Sequence, residues 1–297
     1  MIAFLLSGQL LVAAIVTGTL FAVVALGLNL VYGTMRLINI AHGELVMVGA
    51  YAAFVGFSAF GISPLLCTIG AGAITGALGA ALYLGLFQKL FASPALARRL
   101  EANSLLIFFG ASVIIQSLVA LGFSRTARGY RYLDTVVHLG DVALTANRLA
   151  SFLVSAALCI AALLFLRFSV YGLAIKALIQ RREAAGIVGI DVERIQLASI
   201  TLGFATAGVA GALVSMTEQI TPFMGFPYTI TAFIVIILGG LGNLAGGIAA
   251  GMLLGFVEVY GVALTSASMS SVLTYGVFVG VLVLRPEGLI GRSGAAP

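Results

Sequence analysis

Nine long apolar runs follow one another along the chain, at roughly residues 10–31, 43–60, 63–87, 104–123, 149–166, 197–217, 226–239, 245–265 and 270–284. Seven hold no charge, and two hold a single acid, Glu44 or Glu258. A bilayer core is spanned by about 20 apolar residues of helix. In hydrocarbon only helices and closed barrels satisfy their own backbone polar groups. Barrel strands would read as alternating segments of about ten residues, and none of these runs alternates. The expected fold is therefore all-α: a polytopic membrane helix bundle with about eight or nine spans. The seventh run is short enough to be re-entrant.

The whole chain of 297 residues is 61% hydrophobic and 8% charged, against about 25% charged in a soluble domain. The spans consume it, so it reads as a single transmembrane domain over 1–297, with no room for a soluble catalytic unit. No G-x-x-x-x-G-K-[ST] loop occurs, and the only lysines are Lys89 and Lys176. Any ATP and Mg must be bound by another subunit, and no cofactor is expected in this chain. No catalytic residue or metal site is expected either, since paired carboxylates and H-E-x-x-H are both missing. Cys67 and Cys159 lie inside apolar runs without C-x-x-C spacing and read as buried hydrophobes. The start MIAFLLSGQL lacks a basic n-region, so it reads as part of a first span and not as a cleaved signal.

The net charge of +5 reflects loop placement. Arg36, then Lys89, Arg98 and Arg99, then Arg167, Lys176, Arg181, Arg182 and Arg194 fall in loops two spans apart, and Arg285 and Arg292 join them after three more crossings. The opposing loop, 124–148, holds Arg125, Arg128, Arg131 and Arg148. The positive-inside rule makes the first group cytoplasmic and the N-terminus external. These basic loops lack interleaved aromatics, so no nucleic-acid partner is expected.

Glycine is abundant, 37 residues, and repeats with alanine at every fourth position, as in Gly72, Gly76 and Ala80, or Gly203, Ala207 and Gly211. Such strips let helix backbones approach closely. A faint internal resemblance relates Gly27–Phe54 to Gly225–Glu258, as transporters built from inverted repeats show.

The informative polar residues are those that an apolar span should exclude. Asn39, His42 and Glu44 lie in N-I-A-H-G-E. One reading is a capped helix start at the membrane face, with Asn39 as N-cap and Glu44 paired to Arg36 or His42. The other is a gate or substrate-path element at a broken helix, or a proton relay through His42 and Glu44. The segment L-G-G-L-G-N-L-A-G-G, with Gly239, Gly240, Gly242 and Asn243, cannot sustain a helix; it is either a tight cytoplasmic turn or part of the pathway wall. Glu218 suits an interfacial helix end, and Glu258 is a candidate cavity-facing acid. The cytoplasmic loop 167–196 predicts a surface helix over Ala174–Val188 that stops at Gly189, with Asp191 capping the next element.

Within that loop Glu183, Ala184, Ala185, Gly186 and Gly189 resemble the E-A-A-x-x-x-G coupling motif of ABC importer permeases, although the proline that follows in that motif is absent here. The stretches Gly27–Tyr51 and Leu238–Gly247, and the closing R-P-E-G-L-I-G-R at Arg285–Arg292, are similar to the LivH-type permeases of branched-chain amino acid transporters, in the same order and spacing over essentially the whole chain. The resemblance implies a bacterial inner-membrane importer made of a paralogous permease, two cytoplasmic ATPase subunits and an external substrate-binding protein. This chain would form half of an alternating-access path, with 167–196 as its coupling loop. Branched-chain or other hydrophobic amino acids are the implied substrates, with urea, short amides or aromatic acids as alternatives. A self-sufficient proton-coupled carrier using His42, Glu44 and Glu258 is the reading from another class.

Overall fold

The computed structural model describes residues 7–93, 99–285 and 288. The expected starting segment at 1–6, Arg98, Arg292 and most of the closing R-P-E-G-L-I-G-R lie outside the described residues. Helices α1 (Gly8–Met35), α2 (His42–Phe60), α3 (Pro64–Leu82), α4 (Leu100–Phe123), α5 (Ala146–Phe168), α6 (Val170–Gln180), α7 (Arg182–Ile187), α8 (Val192–Ser215), α9 (Gly225–Gly239), α10 (Leu244–Leu264) and α11 (Ala267–Leu284) build an all-α bundle. Through a π-turn at Tyr83–Phe87, α3 continues to Ala92, giving eight helices long and apolar enough to cross a membrane among the described residues. The ninth run becomes α11, whereas the seventh becomes the shorter α9.

At one end of the bundle the last turn of α1, helix α6 and the α9–α10 turn meet at Gly33, Ile179 and Gly242. Gln88 bonds Glu193, and Arg36, Arg99 and Arg182 line one cavity at the same end. This is the basic end, cytoplasmic by the positive-inside rule. The opposite end carries a small hairpin, β1 (Val136–Leu139) paired antiparallel with β2 (Val142–Thr145). Gln9 at the start of α1 clasps the hairpin through two hydrogen bonds to Ala143.

The most buried long helix is α8, packed between α1, α2 and α3. Small residues make this possible: Gly27 faces Gly203, Gly49 faces Gly208, and Gly72 and Gly76 face Ala205. Gly211 sits on the α2 backbone at Val46. These are the close approaches expected of the glycine strips, and in α3 Gly79 adds a further one, against Ile200 and Phe204. Beside them Phe87, Phe108 and Phe204 form a ring cluster with centroid spacings of 5.2 and 6.3 Å. Cys67 and Cys159 are buried free thiols. By contrast α4 and α11 bury little of their surface, and exposed Leu106, Ile114, Leu118 and Val283 suit them to face lipid.

Candidate functional site: the junction of two broken helices

The chain breaks twice in ways that bring two helix N-termini together inside the bundle. After α1, Arg36 adopts a left-handed conformation (φ 56°, ψ 30°) and closes the helix by donating its N–H to Tyr32 O at 2.8 Å. The chain then climbs back beside α1 and α4. Ile38 N donates to Ser104 Oγ (3.1 Å), and four residues later the His42 Nε2 lies 2.7 Å from Val24 O. Val24 is eleven residues before Met35, about 16 Å along a helix rising 1.5 Å per residue. Helix α2 thus begins deep in the bundle and not at the membrane face as one reading expected.

The second break comes from the other end. Past α8 the chain pairs with the outer loop through Ile220 N to Arg128 O (2.8 Å) and Arg128 N to Ile220 O (2.9 Å). It then turns inward to start α9 at Gly225. The two starts touch. Thr229 Oγ1 donates to Ile40 O at 3.0 Å and accepts from Gly43 N at 2.9 Å. A Cβ on Gly43 would overlap the Gly225 carbonyl, so only glycine allows this approach. The two breaks, between α1 and α2 and between α8 and α9, therefore meet through their helix starts.

Each helix N-terminus carries unsatisfied N–H groups and a partial positive charge. Glu44, in the first turn of α2, packs its carboxylate against Gly225 at the start of α9. One side chain therefore serves both ends. Its Oε1 accepts from Ser112 Oγ at 3.2 Å, and it pairs with neither Arg36 nor His42. Asn39, His42 and Glu44 are all at most 1% exposed. Among the described residues, both side-chain polar atoms of Asn39, His42 Nδ1 and Glu44 Oε2 have no protein partner. Asn39 does not cap α2; that position is Ala41, which makes no side-chain cap bond. Buried polar atoms are almost always hydrogen-bonded, so this cluster is a polar spot able to engage water or a passing solute.

The glycine-rich segment forms a tight turn at the basic end. Gly239 is pressed against the Gly246 backbone, and Gly240 and Gly242 have positive φ (92° and 81°). Asn243 caps α10 by accepting from Gly246 N at 3.0 Å. The turn is pinned by Asn29, which donates to Asn243 O (2.9 Å) and accepts from Gly242 N (2.8 Å). Sequence reasoning did not single out Asn29; its signal was a lone amide in the first apolar run. Glu258 stands apart from the junction, accepting from Thr274 Oγ1 at 3.2 Å on α11. Glu218 is exposed outside the helices and accepts from the Tyr228 hydroxyl at 2.8 Å.

The loop 167–196 departs from the single helix expected over Ala174–Val188. Arg181 is extended (φ −153°, ψ 109°), splitting it into α6 and α7. Helix α6 buries Gly172, Ile175 and Leu178, and its Ile179 wedges between Gly33 and Gly242. Helix α7 buries only Ala185, leaving Glu183, Ala184, Gly186 and Gly189 exposed. Gly189 (φ 82°) ends it, and Asp191 caps α8 by accepting from Arg194 N at 3.1 Å, both as expected. Ile187 and Val188 are 86% and 75% exposed amid Arg181, Arg182, Glu183 and Asp191.

Comparison with known proteins covers nearly the whole chain. The family model for the branched-chain amino acid transport system / permease component matches residues 10–282. The high-affinity branched-chain amino acid transport system permease protein LivH of Salmonella typhimurium is 28% identical over 301 residues, 97% of each chain. BraD of Pseudomonas aeruginosa, bearing the same description, is 27% identical over 293 residues, 96% of this chain and 95% of its own. The probable LivH permease of Methanocaldococcus jannaschii is 30% identical over 296 residues, 95% and 92% of the two chains. No solved structure matches significantly. A multi-pass inner-membrane helix bundle and not an enzyme, this chain belongs to the family of permease components of branched-chain amino acid transport systems.

Proposed function

We propose that this chain is the membrane permease subunit of an ATP-driven ABC importer, forming half of a translocation path for branched-chain or other hydrophobic amino acids. The observation that carries the reading is the α6–α7 elbow. An exposed apolar pair, Ile187 and Val188, on a charged, water-side loop is a surface suited to a protein partner. Glu183, Ala184, Ala185, Gly186 and Gly189 form the segment on which an ATPase subunit docks. Two such ATPases bind ATP and Mg, a paralogous permease completes the path, and an external binding protein delivers a substrate it has already selected.

Closure of the ATPase pair pushes α7 and, through α6, Ile179. That side chain bears on Gly33 and Gly242, so displacement reaches the end of α1 and the α9–α10 turn held by Asn29. The turn continues into α9, whose far end meets α2 at Gly43, Glu44 and Thr229. Access switches where the two half-crossing segments meet, with Asn39, His42 and Glu44 lining the gate and Gly239, Gly240, Gly242 and Asn243 forming its lever. Glu258 is assigned to the α10–α11 contact and not to the gate.

Reconstitution tests this reading. Proteoliposomes holding both permeases and both ATPases, supplied with the binding protein, take up leucine only with internal ATP and lose uptake when either ATPase is omitted. Urea, short amides and aromatic acids are run as competing substrates. Uptake by this chain alone, driven by a pH gradient, would overturn the proposal in favour of a proton-coupled carrier.

A further inference from the structure

A second polar feature lies at the cytoplasmic end, away from the junction. Met35 and Arg36 at the end of α1, Arg99, Leu100 and Glu101 at the start of α4, and Arg182 at the start of α7 line a cavity of about 590 Å³. Three guanidinium groups face one carboxylate there. Among the described residues the single ion pair is Arg194–Asp191, so none of the three arginines has a carboxylate within pairing distance. Instead Arg36 stacks on Tyr32 at 5.5 Å and Arg182 on Phe91 at 4.3 Å.

Stacking orients a guanidinium while leaving its N–H fork free for an anion. The cavity's other wall is apolar, through Met35 and Leu100. Its lining includes the first turn of α4, the long helix with the least buried surface, on which Leu105, Leu106 and Phe109 are exposed. A ligand reaching this cavity along α4 comes from the bilayer.

We propose that Arg36, Arg99 and Arg182 form a binding site for a phosphodiester anion, presented by the headgroup of an anionic phospholipid of the cytoplasmic leaflet. Arginine matches phosphate geometry in two-point contacts, and basic pockets between helices on this side suit anionic headgroups. The acyl chains follow α4 while the headgroup reaches Arg182, the first residue of α7. Lipid occupancy then braces the elbow against the ends of α1 and α4.

The purified full chain in detergent is titrated with short-chain phosphatidylglycerol, phosphatidylcholine or inorganic phosphate while its thermal midpoint is followed. Phosphatidylglycerol gives a saturable rise that the other two do not. R99Q moves the half-saturating concentration up about five-fold, the scale of one basic residue at an anionic surface. The triple variant R36Q/R99Q/R182Q abolishes the rise. R167Q, which removes a cation from the same end but outside the cavity, behaves as the parent. If the triple variant does not fold, R99Q alone decides. Equal effects of phosphatidylglycerol and phosphatidylcholine, or an unchanged midpoint titration in R99Q, would overturn the proposal. An equal response to inorganic phosphate would overturn the lipid source. Loss of ATPase co-purification in R99Q with unchanged lipid response would reassign the arginines to protein docking.

Discussion

Asn29 shows what one amide can do in an apolar helix. It is 1% exposed and satisfies one donor and one acceptor of the α9–α10 turn. Removing a partner from a buried polar group costs about 1–3 kcal/mol. Asn29→Leu keeps the side chain close in size and leaves Gly242 N without its acceptor, while Asn243 O keeps its bond from Gly247 N, so we expect a destabilisation of that size in denaturant or thermal unfolding, and a larger proportional loss of uptake on the proposed role of the turn as lever of the gate. An unchanged unfolding midpoint would refute this role. The cap at Asp191 and the stop at Gly189 were readable from sequence because both are local chemistry. Asn39 was not: its type suits an N-cap, but its surroundings are decided by Ser104, Val24 and Thr229, which lie far away in the chain and draw residues 36–41 into the bundle. The reading that paired Glu44 with Arg36 or His42 failed for the same reason, since its partner Ser112 is 68 residues away.

At the scale of elements, hydropathy located every long helix, because length and apolarity alone decide what can cross a bilayer. It could not show that α2 and α9 start inside the bundle. An apolar half-helix has the same composition as the end of a whole one, and its depth is set by glycine contacts such as Gly43 on Gly225. The elbow at Arg181 was also missed. The stretch Ala174–Val188 has uniform helical composition, and the extended Arg181 lets both Ile179 of α6 and Ala185 of α7 join one apolar cluster with Ile195 and Leu244. This elbow carries the element-scale prediction. Ile187 is 86% exposed, so Ile187→Asp should change the chain's own stability by no more than about 0.5 kcal/mol. In the assembled transporter it should cut ATP-dependent uptake by roughly tenfold or more, the scale on which an interface anchor worth about 1.4 kcal/mol acts. Full uptake with a normal ATPase response would remove α7 from the docking surface.

For the molecule as a whole, the architecture joins a closely packed centre to two ends that differ in chemistry. Helix α8 and its glycine contacts with α1, α2 and α3 form that centre. The two breaks enter from opposite ends and meet at Asn39, His42, Glu44, Gly225 and Thr229. On the proposed mechanism, access to this junction changes sides when ATP binds. The direct measurement makes the substitution Asn39→Cys in a Cys67→Ala/Cys159→Ala background and follows labelling by a membrane-impermeant maleimide applied from either side of proteoliposomes holding the complete transporter. The introduced thiol should label from the cytoplasmic side without nucleotide and from the external side in the ATP-trapped state. Labelling from the same side in both states, or from neither, would rule out alternating access at this junction.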